Sequence, residues 1–291
     1  MRQAMTVRAG FIGLGNIGMP MAKRVVEAGL PTTVYDLVAT RVEELVAAGA
    51  TAAASPRALA AGCDTISLCV RDDDDVRAVV YGEDGVLPGA AAGAVIALHG
   101  TVRLETVLAL GEAARSRGIG VVDACVTGGA AGAAAGSLTT MVGGAAADVD
   151  KVRPVLEAFS RSIVPTGPLG SGTVVKLCNN VMGYLAWTAV FEALLLARAG
   201  GVADEVLEVV TRASGHLTQP MAGFLAMHRL PDDVRGEDEF QARLRGFVEI
   251  AEKDLAAALA LARARGVALP GAGLCAQIMA RVYGLVDPRR R

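Results

Sequence analysis

The chain has 291 residues, enough for about two domains of ordinary size and a sizeable buried core. Its 28 basic and 30 acidic residues leave a formal charge of -2, which offers no electrostatic footprint for nucleic acid as a partner. Hydrophobic residues make up 53%, yet the longest apolar run, near Val181 to Leu196, is interrupted by Glu192. It falls short of the roughly 18 uninterrupted apolar residues of a spanning helix, so it reads as a buried core helix and no membrane partner is expected.

In chain order, short β-type runs alternate with Ala-rich helical stretches, the pattern of a parallel sheet wrapped by helices. Strands are expected near Ala9 to Leu14, Thr32 to Tyr35, Thr65 to Val70, Ala94 to Leu98 and Gly120 to Val122. Helices are expected near Ile17 to Ala28, Thr40 to Ala48, Asp74 to Val80 and Leu104 to Arg117. Two further strand-like runs, Leu138 to Val142 and Ser162 to Val164, flank a helix beginning after Asp148, and the Ala/Gly tract Gly128 to Gly136 reads as a loop. After the loop signal from Gly167 to Gly172 the β pattern stops. One long helix, Thr173 to Ala199, is closed by Gly200-Gly201, and later helices cover Asp204 to Arg212, Phe240 to Arg265 and Gly273 to Tyr283, with a polar break from Pro231 to Glu239. The fold class is an N-terminal α/β Rossmann-type domain (1–168) and an all-α C-terminal domain (169–291) joined by that helix. The Arg289-Arg290-Arg291 tail reads as a frayed terminus.

The opening MRQAMTVRAGFIG runs into a glycine motif without an h-region, so no targeting signal is expected. Five scattered cysteines with no CxxC pair fit reduced thiols in a cytoplasm. Three histidines without close ligand spacing argue against a histidine-built metal site, and none is predicted.

Four motifs carry chemistry. Gly13-Leu14-Gly15-Asn16-Ile17-Gly18 lies between a β run and an amphipathic helix. Gly13 allows a tight turn, Gly15 lets backbone N–H groups approach a pyrophosphate, and Gly18 permits close helix packing, with the helix N-terminus facing the phosphates. Asp36, eighteen residues after Gly18, is placed to accept hydrogen bonds from an adenosine ribose and to repel a 2′-phosphate, favouring NAD over NADP. The alternative is a strand-end turn aspartate, and Arg41 nearby leaves NADP possible. In Asp123-Ala124-Cys125-Val126-Thr127-Gly128-Gly129, bare backbone N–H groups and the Thr127 hydroxyl form either a carboxylate cradle or a plain Gly-rich turn. In Lys176-Leu177-Cys178-Asn179-Asn180, Lys176 and Asn180 share a helix face. A lysine among apolar neighbours suits acid–base work, although a lone helical lysine is ordinarily a solvated one. Glu252-Lys253-Asp254-Leu255 reads, on its residues alone, as a solvated charged face.

In this order the motifs resemble the β-hydroxyacid dehydrogenase family, from GFIGLGNIGMPMA through DACVTGG, GSLTTMVGG and GxGxxxKLCNN to EKDL, over nearly the whole chain. The resemblance implies an oxidoreductase that passes hydride between NAD(P) and a small β-hydroxy acid of the 3-hydroxyisobutyrate type. It implies Lys176 as catalytic acid/base, Asn180 with Thr127, Gly128 and Gly129 as substrate contacts, and Lys253 as a cofactor contact in place of a solvated charge. It further implies Thr101 on the nicotinamide side, Val70 and Arg71 over the adenosine side, and a homodimer or homotetramer. The chain departs from the common pattern at Cys125 (usually proline), Thr127 (usually serine), His99-Gly100-Thr101 and Arg71. Its Asp36-Leu37 stands where many NADP-preferring relatives have Asn-Arg. Imine reduction on the same fold and a non-catalytic NAD-binding protein are the alternatives.

Overall fold

The computed structural model of the protein describes residues 7–287, so the expectations for the extreme N-terminus and the triple-arginine tail lie outside the described residues. The described chain divides into two compact units between Lys176 and Leu177.

The first unit is built on an eight-stranded sheet. Its elements are β1 (Ala9–Ile12), α1 (Gly18–Glu27), β2 (Thr32–Tyr35), α2 (Ala39–Ala47), β3 (Thr51–Ala52), α3 (Pro56–Gly62), β4 (Thr65–Leu68), α4 (Asp73–Tyr81) and α5 (Val86–Gly89). They continue through β5 (Val95–Leu98), α6 (Leu104–Arg115), β6 (Gly120–Thr127), α7 (Gly129–Ala134), β7 (Leu138–Gly143), α8 (Ala146–Phe159) and β8 (Ser160–Gly167). The strand order is β3-β2-β1-β4-β5-β6-β7-β8, and every pairing is parallel except β6 with β7. Strand order reverses at β1, whose neighbours are β2 and β4, the place where such sheets accept ligands beyond their strand ends.

The central strands β1, β4 and β5 are buried at every position, as parallel strands covered on both faces must be. Side-chain alternation splits them between two cores. Phe11 packs with Met21, Val25, Val34, Leu45 and Phe159 on one face, while Ile12 packs with Leu59, Ile66, Leu68, Val76 and Leu110 on the other. The acidic run Asp72 to Asp75 has a local cause: the Asp72 side chain caps α4 by accepting from the Asp75 N–H, and Asp73, Asp74 and Asp75 sit in the positive first turn.

Two expectations need correction in this unit. β6 runs on to Thr127 instead of stopping at Val122, because antiparallel pairing from Asp123↔Gly143 to Thr127↔Thr139 carries it through its polar residues. The tract read as a loop contains α7, a short helix favoured by its alanines. Elements β3, α3 and α5 also escaped the sequence reading, being only two, seven and four residues long.

The long helix α9 (Ser171–Ala199) leads into the second unit, followed by α10 (Asp204–Ala213), α11 (Gln219–His228), α12 (Asp232–Gly236), α13 (Asp238–Ala264) and α14 (Pro270–Tyr283). Gly201, at φ 72°, supplies the expected stop after α9. α11 went unpredicted although its signals are present: Thr218 caps it by accepting from the Met221 N–H, and Pro220 sits in its first turn. The core of this unit gathers Tyr184, Leu194, Leu225, Val248, Leu255 and Met279, with Trp187 stacked on Phe224 at 5.8 Å. α9 supplies Leu177, Tyr184, Val190 and Leu194 to buried clusters, as expected of a core helix, but much of the rest of it is exposed. By length and composition it could cross a membrane, and only 22% of its most apolar stretch is buried within the chain. Met182 and Leu196 are 73% and 77% exposed, and α10 has no buried residue at all, with Val206, Val209 and Val210 open to solvent.

Candidate functional site

The glycine loop is built as its sequence demands. Gly13, at φ 91°, turns the chain after β1, and a Cβ there would lie 2.5 Å from the Cys69 carbonyl oxygen. At Gly18 a Cβ would lie 1.9 Å from the Gly13 carbonyl oxygen, so only glycine lets α1 start against the loop. Gly15 differs: apart from its own chain neighbours, nothing in the protein lies within 4 Å of where a Cβ would stand. The backbone there is approachable. The first turn of α1 holds no acidic residue, and Ile17 at its N-cap makes no side-chain capping bond, so no protein carboxylate offsets the positive end of the helix. An anionic cofactor phosphate fits this cradle.

Asp36 ends β2 and is tied to that loop. One carboxylate oxygen accepts from the Leu14 N–H at 2.6 Å, the other accepts from the Val38 N–H at 2.8 Å, and the Arg41 guanidinium stands 3.5 Å away. The Val38 bond is a turn interaction, while the Leu14 bond reaches 22 residues back to the glycine loop. Val70 and Arg71 follow β4. The Arg71 side chain reaches outward, paired with Asp75 at 2.8 Å. Gly100 brings the neighbouring loop close, since a Cβ on it would sit 2.6 Å from the Val70 carbonyl oxygen, and Thr101 follows directly.

Beneath these strand ends lies His99, 3% exposed. Its Nδ1 is 2.8 Å from the Ala124 carbonyl oxygen and its Nε2 is 3.0 Å from Ser67 Oγ, so the ring donates to β6 and accepts from the Ser67 hydroxyl on β4. Phe11 stacks on it and Phe159 meets it edge-on. Burial holds its pKa down to about 4, against the opposing Ala124 bond, so the ring is neutral near neutrality.

Thr127 closes β6, followed by Gly128 at φ 126° and Gly129 at φ 66°. Gly129 has open space around its Cβ position, as Gly15 does. Both glycines adopt backbone conformations that side-chain-bearing residues rarely reach, which turns the chain sharply after Thr127.

Lys176 and Asn180 lie one turn apart on α9. Asn180 is held by a residue that the sequence reading passed over. Its Nδ2 donates to Asp254 on α13 at 2.6 Å, and Tyr184 donates its hydroxyl to the same carboxylate oxygen at 3.0 Å. Lys253 donates to the other oxygen at 2.8 Å. Asp254 is 3% exposed, so the Glu252-Lys253-Asp254 triplet is not a solvated face. Burial, and then the Asp254 charge, pushes the Tyr184 hydroxyl upward, keeping it protonated as a donor. The available signal was the apolar spacing of Ala251, Leu255 and Ala258, which puts position 254 on the buried side of α13.

Comparisons with known proteins identify the fold and the family. Residues 8–167 match the NAD binding domain of 6-phosphogluconate dehydrogenase, and residues 170–286 match the NAD-binding domain of NADP-dependent 3-hydroxyisobutyrate dehydrogenase. A Pseudomonas aeruginosa NAD-dependent L-serine dehydrogenase is 41% identical over 206 residues, covering 70% of this chain and 69% of the relative. A 3-hydroxyisobutyrate dehydrogenase of the same organism is 35% identical, covering 89% and 87%. The structure of Mycobacterium tuberculosis 3-hydroxyisobutyrate dehydrogenase with L-serine superimposes with a TM-score of 0.80 at 27% identity, covering 96% of this chain and 94% of that one. With both units matched and the glycine cradle in place, the chain belongs to the β-hydroxyacid dehydrogenase family of NAD(P)-dependent oxidoreductases.

Proposed function

We propose that the protein oxidises the hydroxyl of a small β-hydroxy acid of the 3-hydroxyisobutyrate type, with NAD preferred to NADP, and that it runs the reverse reduction as well. The relatives named for L-serine and for 3-hydroxyisobutyrate share one substrate chemistry, a hydroxymethyl group on the carbon that bears the carboxylate. The observation that carries the reading is the hold on α9: a lysine and an asparagine one turn apart, with the asparagine amide fixed by a buried carboxylate.

In this reading the Thr127 hydroxyl and the N–H groups at Gly128 and Gly129 anchor the substrate carboxylate. Asn180, its Nδ2 engaged by Asp254, turns its carbonyl oxygen to the substrate hydroxyl. Neutral Lys176 takes the hydroxyl proton at Nζ, and the resulting ammonium stabilises the developing carbonyl or returns the proton in reduction. When bound, the nicotinamide accepts or supplies the hydride. Gly13, Leu14, Gly15, Asn16, Ile17 and Gly18 receive the pyrophosphate, and Val70 and Arg71 cover the adenosine. Thr101 lies on the nicotinamide side, and Lys253 adds a cationic contact.

Asp36 sets the cofactor preference. Anchored to the Leu14 N–H, its carboxylate accepts from a ribose hydroxyl and repels a 2′-phosphate. Leu37, 89% exposed, adds no positive charge there, while Arg41 keeps some NADP use open. The exposed apolar faces of α9 and α10 are covered in this reading by a second copy of the chain, giving a homodimer or homotetramer. The scattered free cysteines suit a cytoplasmic setting.

The test is NAD and NADP reduction with 3-hydroxyisobutyrate, L-serine, 3-hydroxypropionate and glycerate. Turnover with NAD on at least one of them is the expected result. Silence on all four, with oxidation of NADH or NADPH by a cyclic imine instead, would replace this reading with imine reduction.

A further inference from the structure

The most deeply buried carboxylate in the sheet unit belongs to a residue given no role above. Asp123 lies on β6 at 0% exposure. Its Oδ1 accepts from the Gly170 N–H at 2.8 Å and its Oδ2 accepts from the Thr173 N–H at 2.6 Å. These donors lie 47 and 50 residues further along the chain and belong to the entry and first turn of α9. The carboxylate is a cap supplied from a distant strand. Two glycines make room for it: a Cβ at Gly143 would lie 2.6 Å from Oδ1, and one at Gly172 would lie 3.1 Å from Oδ2. Burial raises the pKa of Asp123, and the N–H bonds from Thr173 and Gly170 oppose that rise.

Side chains alternate along a strand, so Asp123, Cys125 and Thr127 project from the same face of β6. The first turn of α9 lies along that face. Cys125, where relatives commonly have proline, adds to the connection, its Sγ 3.7 Å from Thr173 Oγ1. The same strand face thus ends in Thr127 and, through Asp123, fixes the backbone turn that immediately precedes Lys176. A rigid strand and a pinned helix start define the geometry between a carboxylate anchor and a base with few soft torsions in between.

We infer that Asp123 is a positioning residue: by holding the Gly170 and Thr173 N–H groups it fixes the start of α9 to β6, and so sets Lys176 relative to the Thr127–Gly129 segment. The inference rests on the reading of Lys176 as acid/base. It separates two roles on one strand, with Thr127 binding the substrate and Asp123 aiming the group that moves its proton.

Asp123→Asn tests it at nearly constant volume. The amide keeps one acceptor but sets its NH₂ against a backbone N–H, so one of the two bonds is lost and two donors face each other. The helix start shifts without loss of the strand. The expected result is a drop in kcat on the order of 10- to 100-fold, the scale of a small misplacement of a reacting group, with KM for the hydroxy acid and Kd for NAD unchanged. The decisive measurement is a double-mutant cycle with Lys176→Ala, followed at enzyme concentrations high enough to read residual turnover. A residue that acts through Lys176 has nothing left to position, so Asp123→Asn costs nothing further in the Lys176→Ala background.

Equal losses of kcat in both backgrounds would make Asp123 merely structural and overturn the inference, as would unchanged kcat in Asp123→Asn alone. A Lys176→Ala enzyme with normal turnover would overturn the acid–base reading itself and this inference with it. A dead Lys176→Ala enzyme with an additive Asp123→Asn loss sinks the inference alone. If Asp123→Asn does not fold by circular dichroism, Asp123→Glu, which keeps the charge but displaces it by one methylene, is read in the same cycle with the same outcomes.

Discussion

The sheet unit and the helical unit each bury an aspartate, and they use it differently. Asp123 is satisfied by backbone N–H groups, which move only if the fold moves, whereas Asp254 is satisfied by the side chains of Asn180, Tyr184 and Lys253. The same contrast runs through the packing. The sheet unit closes two cores around its central strands β1, β4 and β5, which have no exposed position, while the helical unit leaves an apolar flank on α9 and has an α10 with nothing buried. One unit completes itself as a frame. The other holds its buried carboxylate with side chains and keeps an apolar surface that gains from being covered.

The sharpest way to break the comparison is at the residue where the two units divide. Lys176→Ala should lower kcat by roughly 10²- to 10⁴-fold, the range of a lost general acid–base group, while thermal unfolding and NAD affinity stay near those of the unaltered protein. Retained turnover in that variant would leave α9 as a purely structural connector.

The frame should show its rigidity in acid. His99 is depressed in the folded state from 6.5 to about 4, so between those values the unfolded chain binds the extra proton and the folded one does not. Its contribution is therefore fully present above about pH 6.5 and is lost as pH falls through about 4, amounting to about 3 kcal/mol. Urea unfolding of the unaltered protein and of His99→Gln across this window measures it. The variant should lose that part of the slope, and identical slopes would contradict the neutral buried ring.

In the helical unit Asp254→Ala should cost about 1.5–3 kcal/mol for each charge-assisted hydrogen bond it removes, and should raise substrate KM more than it lowers kcat, because Asn180 is released and Lys176 is not. An effect on kcat alone would assign Asp254 to the chemistry itself. The smallest expected change is in cofactor choice. Asp36→Asn should move the NADP-to-NAD ratio of kcat/KM about tenfold toward NADP, equivalent to about 1.4 kcal/mol. An unmoved ratio would return Asp36 to a turn aspartate.

What could be read from the residues follows the same divide. The buried strands announce themselves because a central parallel strand must be apolar on both faces, and the glycine motif does so because Gly13 and Gly18 sit where a Cβ would meet backbone oxygens. Features that depend on distant partners stayed hidden. β6 seemed to end at Val122 because Asp123 looks like a loop residue until Gly170 and Thr173 are seen to satisfy it. Asp254 looked solvated because its donors include residues 70 and 74 positions away. Apolar composition says that α9 seeks cover and not that its own chain provides all of it.

The central claim is that hydride passes between a hydroxy acid carbon and the nicotinamide. Incubation of the enzyme and NAD with 3-hydroxyisobutyrate and with L-serine, each deuterated at the carbinol carbon, tests it directly by following the label with mass spectrometry. The account predicts one deuterium in the reduced cofactor formed from at least one of the two substrates, and a loss of that transfer in Lys176→Ala. Oxidised product with no deuterium in the nicotinamide would contradict it.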